Sequence, residues 1–262
     1  MKKTINSRYQ QIGLDRRIHL DWLELTANLV LAGNHKSDVK IQLQDKLKDQ
    51  LPSKGNVVRG IRSKTITVLM KVWINVPKGL EDLRDTGLDL LRTLPKDNHI
   101  AVHWGMIMAV YPFWSEVAAQ TGRLLSLQGG AASVHVQRRI RERYGERETV
   151  STATHRLIRS FIDWGVLVKT SGKRIYSRGL SLALDEPKLI SWLIEASLHA
   201  RPEGKATVGN LLNNRSLFPF QLSAFSENHL IDLSPRLEVH RNSSGDDLII
   251  LRTTNESDLP KV

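Results

Sequence analysis

Cysteine is absent from all 262 residues. Its absence excludes disulfides, thiol catalysis and cysteine-ligated zinc or iron–sulfur centres, and it suits a reducing compartment, so a cytoplasmic location is expected. Long apolar runs are also missing. The most apolar stretch, His99 to Trp114, falls short of the ~20 residues a membrane span needs and contains His103 and Pro112. The start, Met1-Lys2-Lys3, is basic, but the residues that follow up to His19 offer no apolar core long enough for a signal peptide.

Catalytic patterns are lacking as well. There is no Walker loop and no Gly-x-Ser-x-Gly elbow; Gly129-Gly130 is too short to cradle a phosphate, and no Asp/Glu cluster suggests a nuclease metal site. The nine histidines are scattered, and the pair His99 and His103 sits in apolar surroundings that favour a core role over metal binding. A non-enzymatic protein without cofactor or metal is expected.

What the chain does have is helical periodicity. Leu20 to Leu31 reads as an amphipathic helix ended by Gly33-Asn34, and Asp38 to Leu51 as a second, stopped by Pro52. Ser63 reads as the N-cap of a third helix that carries Ile66, Leu69, Met70 and Trp73. Leu80 to Leu94 and the apolar His99 to Tyr111 complete a helical bundle. Its tryptophans and leucines read as core.

From Pro112 the texture changes. Phe113 to Leu127 reads as a helix broken by Gly129-Gly130, and Ala131 to Tyr144 as another, with Val134 and Ile140 inward and Gly145 as its stop. Ser151-Thr152-Ala153-Thr154 is then expected to cap a helix with Leu157, Ile158, Phe161 and Ile162 on one face. After Trp164-Gly165 come two short strands, Val166 to Val168 and Arg174 to Ser177, joined by Thr170-Ser171-Gly172-Lys173 with a positive φ expected at the glycine.

Helix, helix, recognition-type helix and hairpin is the order of a winged helix. The fold class expected is therefore mainly α, with an N-terminal helical bundle over 1–112 and a winged-helix domain over 113–182. Weaker signs of a second winged-helix-like domain cover 183–254. They are Pro187 opening a helix, Thr207 capping Val208 to Leu212, a third helix over Pro219 to Leu230, and strands at Leu237 to Arg241 and Leu248 to Arg252 joined by a turn over 242–247. A frayed tail over 255–262 closes the chain.

The charge balance, 38 Lys plus Arg against 27 Asp plus Glu, leaves a formal net charge of +11. Such a surplus favours a polyanionic partner through long-range attraction and counterion release. Between His135 and Arg178 eleven Lys or Arg face four acids, so most of the excess lies in that segment.

A helix in a major groove reads bases with side chains near its start, while cations on the preceding helix and the wing hold phosphates. The expected contact set is Arg138, Arg139, Arg141 and Arg143 on the preceding helix. Ser151, Thr152, Thr154, His155, Arg156 and Arg159 follow on the recognition helix, and Lys169, Lys173 and Arg174 on the wing. In the second unit Asn213, Asn214, Arg215 and Gln221 are weaker candidates. No aromatic stacking platform typical of single-strand RNA readers occurs, which favours double-stranded DNA. The competing class is an interaction scaffold whose winged helices bind proteins.

The order of Asn28-Leu29 in the bundle, His103-Trp104 to Tyr111-Pro112-Phe113-Trp114, and Ser151-Thr152-Ala153-Thr154 leading to Asp163-Trp164-Gly165-Val166-Leu167 resembles the BrxA-like family of BREX phage-exclusion systems. The resemblance covers roughly residues 20–180. It implies a small helical DNA-binding accessory factor of bacterial antiviral defence, acting beside other proteins of that system. The long region after Arg178 departs from the family's pattern.

Overall fold

The computed structural model describes residues 7–51, 60–223, 227–241 and 247–252. The fold is mainly α, with small sheets. Helices α1 (Leu20–Leu31), α3 (Ile61–Trp73) and α4 (Glu81–Thr93) pack on α5 (Lys96–Val110), and α2 (Lys36–Lys46) packs on α1 and α3. From His99 to Val110 every residue of α5 is buried, as its lack of a polar face requires. Gly33, at φ 76°, ends α1 by donating its N–H to Val30 O while Asn34 donates to Leu29 O.

Two local expectations fail in this bundle. Ser63 lies inside α3, which starts at Ile61 with Gly60 as its N-cap and no side-chain cap. Helix α2 starts at Lys36 and stops at Lys46, well before Pro52, which lies outside the described residues.

Pro112, without an N–H to lose, opens α6 (Pro112–Gln128), and Gly129 in the left-handed conformation ends it. Strand β1 (Ala131–Ala132) follows, then α7 (Ser133–Tyr144), α8 (Glu148–Asp163), and the hairpin β2 (Leu167–Lys169) and β3 (Ile175–Arg178). These strands form an antiparallel sheet in the order β1-β3-β2, with Ala132 opposite Ile175 and Lys169 opposite Tyr176.

The chain then follows a similar order of elements, with two further strands that pair with each other. Strand β4 (Leu182–Leu184) leads to α9 (Pro187–His199), β5 (Lys205–Thr207), α10 (Val208–Leu212), β6 (Phe220–Leu222), α11 (Glu227–Leu233), β7 (Leu237–His240) and β8 (Leu248–Leu251). The sheet order β5-β8-β7 mirrors the first. Thr207 caps α10 by accepting the Asn210 N–H. The helix expected over Pro219 to Leu230 is instead a strand, β6, followed by α11. Phe220 to Leu222 pairs in parallel with Leu182 to Leu184, and that tertiary pairing overrides the helical period. The turn over 242–246 and the tail over 255–262 lie outside the described residues.

One core runs through all of these elements. Trp104 Nε1–H donates to Ser216 O at 3.0 Å, and the indole packs among Trp114, Phe161, Trp164, Phe218 and Phe220. Trp192 of α9 donates to Leu83 O at 2.9 Å and lies against Gly105, where an added Cβ would sit 2.5 Å from the indole. The second unit is thus fastened to α5 through Trp104 and to α4 through Trp192, indole N–H groups that find carbonyls while their rings fill the core.

Candidate nucleic-acid interface

Helix α7 buries Ser133, Val136, Ile140 and Tyr144. Val134, expected inward, falls on the opposite side of this stripe and is 63% exposed. The arginines of α7 are largely engaged with acids. Arg138 lies 3.9 Å from Glu142, Arg141 lies 3.3 Å from Glu146, and Arg143 pairs with Glu116 of α6. The Arg139 side chain is half-buried, with its Nε unpartnered.

Helix α8 starts at Glu148, one turn earlier than expected, with Arg147 at its N-cap and no side-chain cap. Ser151 to Thr154 therefore form helix interior. Thr154 is fully buried and its hydroxyl donates to Val150 O at 2.8 Å, so it cannot reach a ligand. Ser151 and Thr152 are half-exposed, and the Thr152 hydroxyl donates to Glu148 Oε1 at 3.2 Å. Glu148, Thr152, His155 and Arg159 recur at helical spacing along one outward face.

Arg156 leans away from that face and donates to Asp15 O at 2.7 Å. Arg159, Lys169, Lys173 and Arg174 are exposed, and their side chains make no hydrogen bond or ion pair among the described residues. Arg174 adopts φ 59°, so the positive φ of the hairpin turn falls on Arg174 and not on Gly172. Gly172 serves close packing, since a Cβ there would come 2.8 Å from Ile175.

His155 links the two cationic elements. Partial burial, with the charges of Arg159 and Arg174 added, holds its imidazole below the usual value. Arg159 of α8 and Arg174 of the hairpin therefore share a region beside His155.

The sequence reading missed the segment ahead of α1, which lies along the flank of α8. Ile18 N–H donates to Ser160 Oγ at 2.8 Å, Trp164 Nε1–H donates to Ile18 O at 2.9 Å, and Arg17 pairs with Asp163. Only their folding together reveals these pairs; no local signal marks them. In the second unit the weaker candidates hold structure. Asn214 Oδ1 accepts from Ser216 N–H, Arg215 reaches Ser126 Oγ at 2.8 Å, and Gln221 donates to Ser181. Arg178, at the end of the hairpin, is bound to Phe218 O.

His99 and His103 do meet a common acid. Glu24 lies 3.1 Å from His99 Nδ1 and 2.8 Å from His103 Nε2. Among the described residues no group of three or more His, Cys, Asp or Glu could hold a metal ion, and no helix is long and apolar enough to cross a membrane. Neither family models, curated proteins nor solved structures match the chain.

Proposed function

We propose that α6, α7 and α8 with the sheet β1-β3-β2 form a winged helix that binds double-stranded DNA, with α8 as recognition helix and the β2–β3 hairpin as wing. The observation that carries this reading is the set of free cations on two adjoining elements. Arg159 from α8 and Arg174 from the hairpin lie close enough to His155 to act on its charge, and with Lys169 and Lys173 of the hairpin they are unpaired among the described residues. Phosphate oxygens supply the negative charge such a surface lacks. Thr152 at the helix start faces the same way, with its hydroxyl held by Glu148 and its oxygen left to accept from a base edge.

The arginines of α7 contribute less, because Arg138, Arg141 and Arg143 already face carboxylates. The second unit, α9 to β8, acts as a structural partner of the first. Competition of labelled duplex DNA against unlabelled duplex, single strand and double-stranded RNA tests the choice of partner. Duplex DNA is expected to compete best, and a stronger single strand would redirect the reading.

A second reading, an interaction scaffold of the same phage-exclusion class, draws on exposed apolar side chains near the wing. Val134 is 63%, Val168 44% and Ile175 39% exposed. We infer an accessory role in BrxA-like phage exclusion from the resemblance of residues 20–180 alone. Restriction of phage growth should be lost when the chain is deleted from such a system.

A further inference from the structure

The segment before α1 builds a second cationic feature. Held against α8 by Ile18 and Ser160, it sets Arg16 and Arg17 beside Arg156 and Arg159. These four arginines line a cleft of about 570 Å³ whose wall also includes Trp22 and Thr65. Among the described residues no carboxylate lines it. The nearest acids stand behind the arginines: Asp15 is 3.2 Å from Arg16 Nε and 3.8 Å from Arg156, and Asp163 pairs with Arg17.

Two carboxylates against four guanidiniums leave a positive surplus in a partly desolvated space. Arg16 Nε is buried with the Asp15 carboxylate as its ion-pair partner, and Arg159 has no partner among the described residues. Clustered like charges repel unless an anion supplies acceptors to several of them at once. The planar fork of arginine suits the oxygens of a phosphate, and a cleft of this size also admits the flanking sugars.

We propose that this cleft is a phosphate-binding site, and that in the DNA complex it seats a backbone phosphate of the strand lying on α8. The phosphate chemistry stands on the cleft itself; the assignment of that phosphate to duplex DNA rests on the function proposed above. Arg16 thereby becomes part of the interface although it lies 140 positions before Arg156 in the numbering.

The test uses the full chain, with pyrophosphate and a random duplex as probes. Two variants act in opposite directions: Arg16→Gln removes a donor, and Asp15→Asn removes the carboxylate competing for Arg16 and Arg156. Arg16→Gln should weaken both probes by roughly three- to tenfold and lower the salt slope for duplex by about one. Asp15→Asn should tighten both by roughly two- to fivefold, a gain that misfolding cannot produce.

If the wild type binds duplex while pyrophosphate does not bind and neither variant changes the duplex affinity, the cleft proposal is overturned and the α8 reading stands. If pyrophosphate binds and responds to both variants while duplex does not bind, the phosphate site stands with a free anion as its source, and the DNA reading falls. Binding of neither probe overturns both.

Discussion

Ser160 Oγ accepts the backbone N–H of Ile18 at 2.8 Å, across 142 positions of chain. The bond is buried and fixes the leading segment against α8. Ser160→Ala leaves the Ile18 N–H without an acceptor and should cost about 1–3 kcal/mol of stability. Urea denaturation measures the loss, and an unchanged midpoint would remove this strap from the account.

Glu24 and His103 predict acid sensitivity. The hydrogen bond from His103, against opposing burial and with His99 adding, holds Glu24 at about 2, compared with 4.5 ordinarily. Its stabilising contribution is thus present above pH 4.5 and is lost as pH falls toward 2. His103, fully buried, is held below 6.5 chiefly by desolvation, so the unfolded chain binds a proton first and stability already declines below pH 6.5. Denaturation midpoints should fall steadily from neutral pH downward, and His103→Gln should flatten the upper part of that decline.

Gly122 sits where α6 meets the 3-10 turn of Arg215–Leu217. A Cβ there would collide with the Arg215 backbone oxygen and approach Phe218 Cβ to 2.8 Å. Gly122→Ala should destabilise by about 1–3 kcal/mol through overpacking, since backbone cannot rotate aside as a side chain can. The thermal midpoint reports it; a neutral effect would mean that the junction gives way freely.

Arg174 carries both a charge and a left-handed backbone. Arg174→Gly relieves the backbone while removing the cation, so stability should stay level or rise by a few tenths of a kcal/mol while duplex affinity drops. A loss of both together would mean that the hairpin, not the charge, carries the binding.

His155, held below its ordinary value by burial and by Arg159 and Arg174, is set to gain a proton when an anion arrives. Duplex affinity should therefore increase as pH falls from neutral through the ordinary histidine value, 6.5. His155→Ala should remove that pH dependence; a variant with the wild-type profile would exclude the imidazole.

The physics separates what the residues alone disclose from what folding adds. Leu20 to Leu31 and Pro112 to Gln128 are legible because apolar spacing, Pro112 and the left-handed glycines at 33 and 129 act locally. Ser63 misleads because a hydroxyl at a helix start looks the same whether or not the helix begins there. Phe220 to Leu222 becomes a strand only because Leu182 to Leu184 offers it an edge, a partner some forty positions away.

The hairpin cations are legible from their turn. By contrast, the burial of Thr154 follows from the true start of α8, and the engagement of Arg156 by Asp15 follows from a segment at the other end of the domain. The hairpins β2–β3 and β7–β8 are legible from their turns, whereas the edge strands β1 and β5 join the two sheets through pairings that no local pattern states.

The most direct test of the central claim is fluorescence-anisotropy binding to a random duplex of about 30 base pairs over a salt series, comparing wild type with Arg159→Ala/Lys169→Ala/Lys173→Ala/Arg174→Ala. The account predicts micromolar or tighter binding for the wild type at low salt. Affinity should fall steeply as salt rises, and the folded variant should lose most of it, with a salt slope smaller by up to about four. Wild-type binding that is absent at low salt, or equally strong in the variant, would contradict it.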